Sequence, residues 1–179
     1  KSDYGRPRRD MRSGMLPPKL ARILINLSEA KSTDRLYDPF CGSGTVLSEA
    51  VQMGYKQLLG SDIDAAAISR TKENIHWVKK SNSHVSLLLF SADVRKLPVE
   101  SLRKDRIAVI ITEPHLGKPL RGNESEQWLK NQARELADLY IEAFRQFAQI
   151  LSPPGRVVVV IPRFYVASCW VTVACQKQI

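Results

Sequence analysis

The chain has 179 residues, enough for one domain with a full core. Apolar residues make up 44% and charged residues 25%, and 27 Lys and Arg stand against 18 Asp and Glu, a formal net charge of +9. This balance excludes a disordered chain, and no apolar run approaches the ~20 residues of a membrane span. The basic surplus favours a polyanionic partner, above all nucleic acid.

The charge is clustered. Arg6, Arg8, Arg9 and Arg12 lie in a basic N-terminal arm, residues 1–16. Lys79-Lys80, Arg103-Lys104 and the pair Lys118 and Arg121 follow. The arm has no apolar stretch behind it and is not a secretory signal. Cys41, Cys169 and Cys175 show neither metal-ligand spacing nor a disulfide framework, so a reducing, cytoplasmic setting is expected. Residues 17–179 are expected to form one domain, and the apolar residues still in play at its C-terminal end suggest a domain cut from something longer.

In chain order, a first helix is predicted from Pro17 to about Ala30. Prolines are acceptable in its first turn, and Leu20, Ile23, Leu24 and Leu27 form its apolar repeat. A strand at 35–40, "RLYDPF", runs into a Gly-Ser-Gly turn and a helix from Gly44 to Met53. "QLLGSDI" (57–63) is the second strand, followed by a helix from Ala65 to about Lys79. "VSLLLFSAD" (85–93) and "RIAVIITEP" (106–114) are the third and fourth strands. A long helix from about Ser125 to Leu151 carries the stripe Leu129, Ala133, Leu136, Tyr140, Ala143/Phe144, Phe147 and Leu151. "SPPG" ends it, and "GRVVVVIP" (155–162) is a fifth strand. The final stretch from Phe164 fits either a short helix and strand or a hairpin. Near-continuous apolar strands alternating with helices predict a doubly wound, Rossmann-like α/β fold, a mostly parallel sheet covered on both faces.

Three strand ends carry chemistry. In "YDPFCGSGT" (37–45), glycines allow a sharp turn and close ligand approach, and the helix opening behind them offers free N–H groups. A nucleotide-type ligand fits above such a turn. The spacing is neither G-x-G-x-x-G nor a P-loop. In "GSDID" (60–64), Asp62 is placed for ribose hydroxyls, whereas Asp64 reads as a helix N-cap. In "SADVRKLP" (91–98), Asp93 is placed to accept from an exocyclic amino group. Asp38, Asp62 and Asp93 together mark one cleft along the top of the sheet.

These motifs, with "RPRRDMRSGMLPPKLARILINL" (6–27) ahead of the first strand, resemble the class I S-adenosylmethionine-dependent methyltransferases. Within these they are similar to the tRNA guanosine-N2 methyltransferase branch, from about Arg6 to Pro162. The resemblance implies S-adenosylmethionine as cofactor and methyl transfer to an exocyclic amino group in RNA, with guanine N2 in tRNA the leading expectation. DNA adenine-N6 or cytosine-N4 methylation, or a catalytically silent cofactor-binding subunit, are the alternatives. It implies that Asp38, Phe40, Cys41, Gly42, Ser43, Gly44 and Thr45 surround the methionine and ribose. Asp62 would bind the ribose hydroxyls with Ile63 packing on adenine, and Asp93 would hold the adenine amino group with Val94 beside it. Pro18 and Lys19 would close over the methionine end.

The family's catalytic motif, Asp/Asn-Pro-Pro-aromatic, is replaced here by Thr112-Glu113-Pro114-His115-Leu116-Gly117. Anchoring on Pro114 and Gly117 puts Glu113 at the acid position. Sliding one place puts Thr112 there and His115 at the aromatic position. The first is preferred, because an acid is what an amino group needs as acceptor, and His115 can offer a stacking face in either register. Family members usually carry an RNA-binding THUMP domain ahead of this one. RNA contact is therefore expected from the basic arm, from Lys118 and Arg121, or from a partner or missing segment.

Overall fold

A computed structural model describes residues 16–79, 84–166 and 168–175. The expected arm, apart from Leu16, lies outside the described residues, as does Lys80. The elements run α1 (Pro18–Leu27), β1 (Arg35–Asp38), α2 (Thr45–Gln52), β2 (Gln57–Asp62), α3 (Ala65–Val78) and β3 (Ser86–Ser91). A 3-10 turn (Val94–Lys96), α4 (Val99–Lys104), β4 (Ile107–Thr112), α5 (Glu126–Ile150), β5 (Leu151–Val159), β6 (Arg163–Val166) and β7 (Cys169–Thr172) follow.

The five main strands pair in the order β3-β2-β1-β4-β5, all parallel. The α/β expectation holds. Strand residues alternate between faces, as a pleated sheet requires. Leu36, Leu58, Val109 and Ile111 pack under α1, α2 and α3. Tyr37, Leu59, Ile107 and Ile110 pack with α4 and the C-terminal half of α5, including Ala143, Phe147 and Ile150. A third cluster joins the N-terminal half of α5, from Leu129 to Ile141, to Phe164 and Val171 of the β6–β7 hairpin. The terminal stretch is thus an antiparallel hairpin.

Two expectations need correction. On α1 the buried face is Pro18, Ala21, Leu24 and Ile25, while Ile23 and Leu27 are exposed. The apolar repeat alone did not tell the two sides apart, and the small Ala21 allows the close approach to α2. "SPPG" does not separate α5 from the last strand. β5 begins at Leu151 directly after the helix, and Ser152 to Gly155 bulge out between the pairs Ile107–Leu151 and Val109–Arg156. Proline lacks the N–H a ladder needs, so on this outer strand the pair is accommodated at the bulge. The six-residue α4 was not assigned from the sequence, because its single buried residue, Leu102, leaves no periodicity to detect.

The order in which strands are added reverses between β1 and β4, and the space above their carboxyl ends is the ligand position of doubly wound folds.

Candidate active site

Two strand exits define the floor of the site. β1 ends at Asp38, which is buried, and β4 ends at Thr112, also buried. The Thr112 hydroxyl donates to Asp38 Oδ1 at 2.7 Å, and the Phe40 N–H donates to the same oxygen at 3.2 Å. Burial pushes the Asp38 carboxyl up to about 7, these two donors oppose the shift, and the neighbouring charges of Asp62 and Glu113 add to it.

The Gly-Ser-Gly turn then bends the chain into α2. Gly44 has φ +81°, and a Cβ there would lie 2.8 Å from the Thr71 side chain, so nothing larger fits. α3 holds this turn from behind. Thr71 Oγ1 donates to Gly42 O at 2.8 Å, and Asn74 Nδ2 donates to Ser43 O at 2.9 Å. The turn is also tied to β2, through Cys41 N to Ser61 O at 2.9 Å.

Asp62 is held by main-chain donors on both oxygens, Gly42 N–H to Oδ2 and Asp64 N–H to Oδ1, each at 2.9 Å. Its neighbour Ile63 is 69% exposed, an apolar side chain offered to solvent beside a fixed carboxylate. Asp64 caps α3 by accepting from Ala66 N–H at 2.8 Å and pairs with Arg70 at 3.1 Å. The N-cap role read from the sequence for Asp64 is its role in the fold. Asp93 caps the 3-10 turn, accepting from Arg95 N–H at 3.0 Å. The Arg95 guanidinium grips both Asp93 oxygens, the shortest contact being 2.6 Å, and holds its carboxyl below the usual range.

A cavity of about 940 Å³ joins these exits. Asp38, Asp62 and Asp93 line it, with Phe40, Cys41, Gly42, Ser43 and Thr45 of the turn, and Ile63 and Val94. Glu113, Pro114 and His115 line the facing wall. Partial burial raises the Glu113 carboxyl above its usual value. Four expected site residues are absent from the lining. Gly44 lies behind the turn, Thr112 is turned down to Asp38, Pro18 is buried in the first turn of α1, and Lys19 faces solvent. Leu16 takes the position beside α1.

The segment after β4 is fastened to α5. Tyr140 donates its hydroxyl to His115 O at 2.7 Å, and Lys118 N–H donates to Gln132 Oε1 at 2.8 Å. Gly117, at φ +101°, lies against Gln132, where a Cβ would come within 2.8 Å of the amide. Tyr140 read as core, one member of the apolar stripe of the long helix, and Gln132 was not singled out in the sequence. Arg95 and Leu139 also line the cavity and were missed. Arg95 had a signal, a cation two residues beyond a strand-exit acid. Leu139 had none.

The arrangement offers a pre-formed turn, acids held in place by donors, an exposed apolar side chain, and a half-buried carboxylate on the opposite wall. Such a lining suits a nucleoside-bearing ligand facing a second, polar group.

Comparison with known proteins agrees with this architecture. The chain is 36% identical over 104 residues to a tRNA (guanine(10)-N2)-dimethyltransferase of Methanothermobacter thermautotrophicus, covering 58% of this chain and 28% of that protein. It is 29% identical over 157 residues to a tRNA (guanine(6)-N2)-methyltransferase of Thermus thermophilus, covering 84% of this chain and 40% of that protein. The chain therefore spans less than half the length of either relative. The crystal structure of TrmN from Thermus thermophilus shares the fold, with a TM-score of 0.62 at 23% identity over 88% of this chain and 47% of that one. A family model, UPF0020, the RMKL-like methyltransferase domain, matches residues 6–168, and the chain belongs to that family.

Proposed function

We propose that the chain transfers a methyl group from S-adenosylmethionine to the N2 amino group of a guanine in tRNA. The observation that carries this reading is the shared cavity, in which the Asp38, Asp62 and Asp93 exits stand opposite Glu113. The guanine-N2 activities of the tRNA-modifying relatives support the choice of substrate.

The residues fit the cofactor. Asp62, its oxygens aligned by two main-chain donors, retains lone pairs for ribose hydroxyls, and the exposed Ile63 gives an adenine ring an apolar face. Gly42, Ser43 and Thr45 line the space for the amino-acid portion, with Asp38 beneath, and Asp93 and Val94 line the far end. Arg95 already engages both Asp93 oxygens, so an adenine amino group would share that carboxylate with it. Pro18 and Lys19 stay outside the lining, and Leu16 closes that side.

When bound, the cofactor supplies a methyl group already activated on a sulfonium. The task left to the protein is placement. Glu113 would accept hydrogen bonds from the target amino group and so aim the nitrogen lone pair. A guanine amino nitrogen gains positive charge as it attacks, and a partly desolvated carboxylate offsets that charge better than water does. His115, exposed at the rim with its carbonyl held by Tyr140, would offer a ring face to a base turned out of its stack.

The test is transfer of label from S-adenosylmethionine to bulk tRNA and, separately, to duplex DNA. Label on tRNA alone supports the reading. Label on DNA adenine or cytosine assigns the DNA alternative. Bound cofactor with label on neither assigns a silent subunit.

A further inference from the structure

Beside the cofactor cavity lies a second groove of about 760 Å³. Lys118 and Pro119 line both, so the two are continuous along one loop. The rest of the groove comes from Arg121, Asn123, Glu124, Ser125 and Trp128. Three features suit one kind of occupant. Lys118 and Arg121 are exposed cations with no carboxylate within ion-pair distance among the described residues. The single acid, Glu124, is spent locally, accepting from the main-chain N–H groups of Arg121 and of Gly122, the latter at 3.0 Å. Those bonds, with a smaller contribution from the Arg121 charge, hold the Glu124 carboxyl below its usual range, and they fix the turn that carries Arg121. Trp128 is half-buried. It packs on one side against the α5–hairpin cluster and lines the groove with the rest of its ring.

We infer that this groove is a subsite for a nucleotide flanking the target guanine, its base on Trp128 and its phosphate between Lys118 and Arg121. An aromatic ring next to two cations is the combination that binds single-stranded nucleic acid, because every base has a face to stack and every residue a phosphate. Continuity with the first cavity through Lys118 and Pro119 sets the occupant as the neighbour of the base being modified, not a separate ligand. Fastening of this loop to α5 through Gln132 keeps the two sites at a constant spacing. The inference rests on the RNA reading above.

The test uses the 179-residue chain with Trp77 and Trp170 changed to Phe, so that Trp128 alone reports. A short single-stranded RNA containing one guanine is titrated in, with binding followed independently by the anisotropy of a dye on the RNA. Stacking predicts quenching of Trp128 that tracks binding. It also predicts roughly tenfold weaker binding for Trp128→Ala, in line with the usual worth of one base stack. Arg121→Glu should weaken binding at least as much and flatten its salt dependence, while affinity for S-adenosylmethionine stays unchanged. RNA that binds with Trp128 emission and Arg121→Glu affinity both unaltered overturns the subsite alone. Absence of any RNA binding overturns both the subsite and the RNA reading. Quenching by an acidic peptide but not by RNA assigns the groove to a protein partner, and also overturns it.

Discussion

Thr112 and Glu113 are adjacent in sequence and opposite in role. Strand alternation sends one side chain down to Asp38 and leaves the next facing the cavity. The two registers weighed in the sequence, of which the Glu113 one was preferred, therefore correspond to two physical environments, a buried hydroxyl on a buried acid and a half-buried carboxylate on the wall. Thr112→Val keeps the shape and removes the donor. It should cost roughly 1–3 kcal/mol of stability in urea unfolding, because the Asp38 carboxyl keeps only the Phe40 N–H. A change within error would show that the hydroxyl is not needed to hold Asp38.

At the scale of elements, α3 and α5 act as braces. One holds the Gly-Ser-Gly turn through Thr71 and Asn74, the other the loop after β4 through Tyr140 and Gln132. Tyr140→Phe removes the donor to His115 O with almost no change in volume. Loosening that carbonyl should lower kcat for transfer about tenfold and leave cofactor affinity unchanged, since small misplacements of reacting groups are costly. Equal kcat in the variant would mean that packing alone positions the loop. These braces also mark where sequence reading stopped. The strand exits were legible because acids and glycines at the ends of apolar runs break a simple pattern. Tyr140 continued the α5 stripe, and its hydroxyl bond to a residue 25 positions away leaves no local trace. The α1 face was misread for a related reason, since apolar residues lie on both of its sides and only the partner helix selects one. The β5 bulge was hidden because two prolines read as a stop, whereas an outer strand accommodates them.

For the whole molecule, the buried acids make stability depend on pH. The folded-state value of Asp38, about 7, lies above its ordinary 3.8, so the folded protein holds this proton more tightly than the unfolded chain. The associated stability is fully present below about pH 4 and is lost as pH rises through about 7. The displacement corresponds to a loss of a few kcal/mol, on the order of 1.4 kcal/mol per pK unit. Glu113 is shifted in the same direction and adds to the slope. Asp38→Asn should flatten the decline between pH 4 and 7 in thermal or urea unfolding. An unchanged slope would show that other groups carry it. The same burial suits Asp38 to a fixed floor, tied to Thr112 and Phe40, while in the proposed reading Asp62 and Glu113 would be the carboxylates that meet ligands.

The most direct test of the account is nucleoside analysis by mass spectrometry of tRNA incubated with the chain and S-adenosylmethionine, comparing the unaltered protein with Glu113→Ala. The account predicts N2-methylguanosine from the unaltered protein and a loss of at least a hundredfold in its rate of formation for the variant, with cofactor affinity retained. N2-methylguanosine formed equally fast by Glu113→Ala, or a methyl group found on another atom, would contradict it.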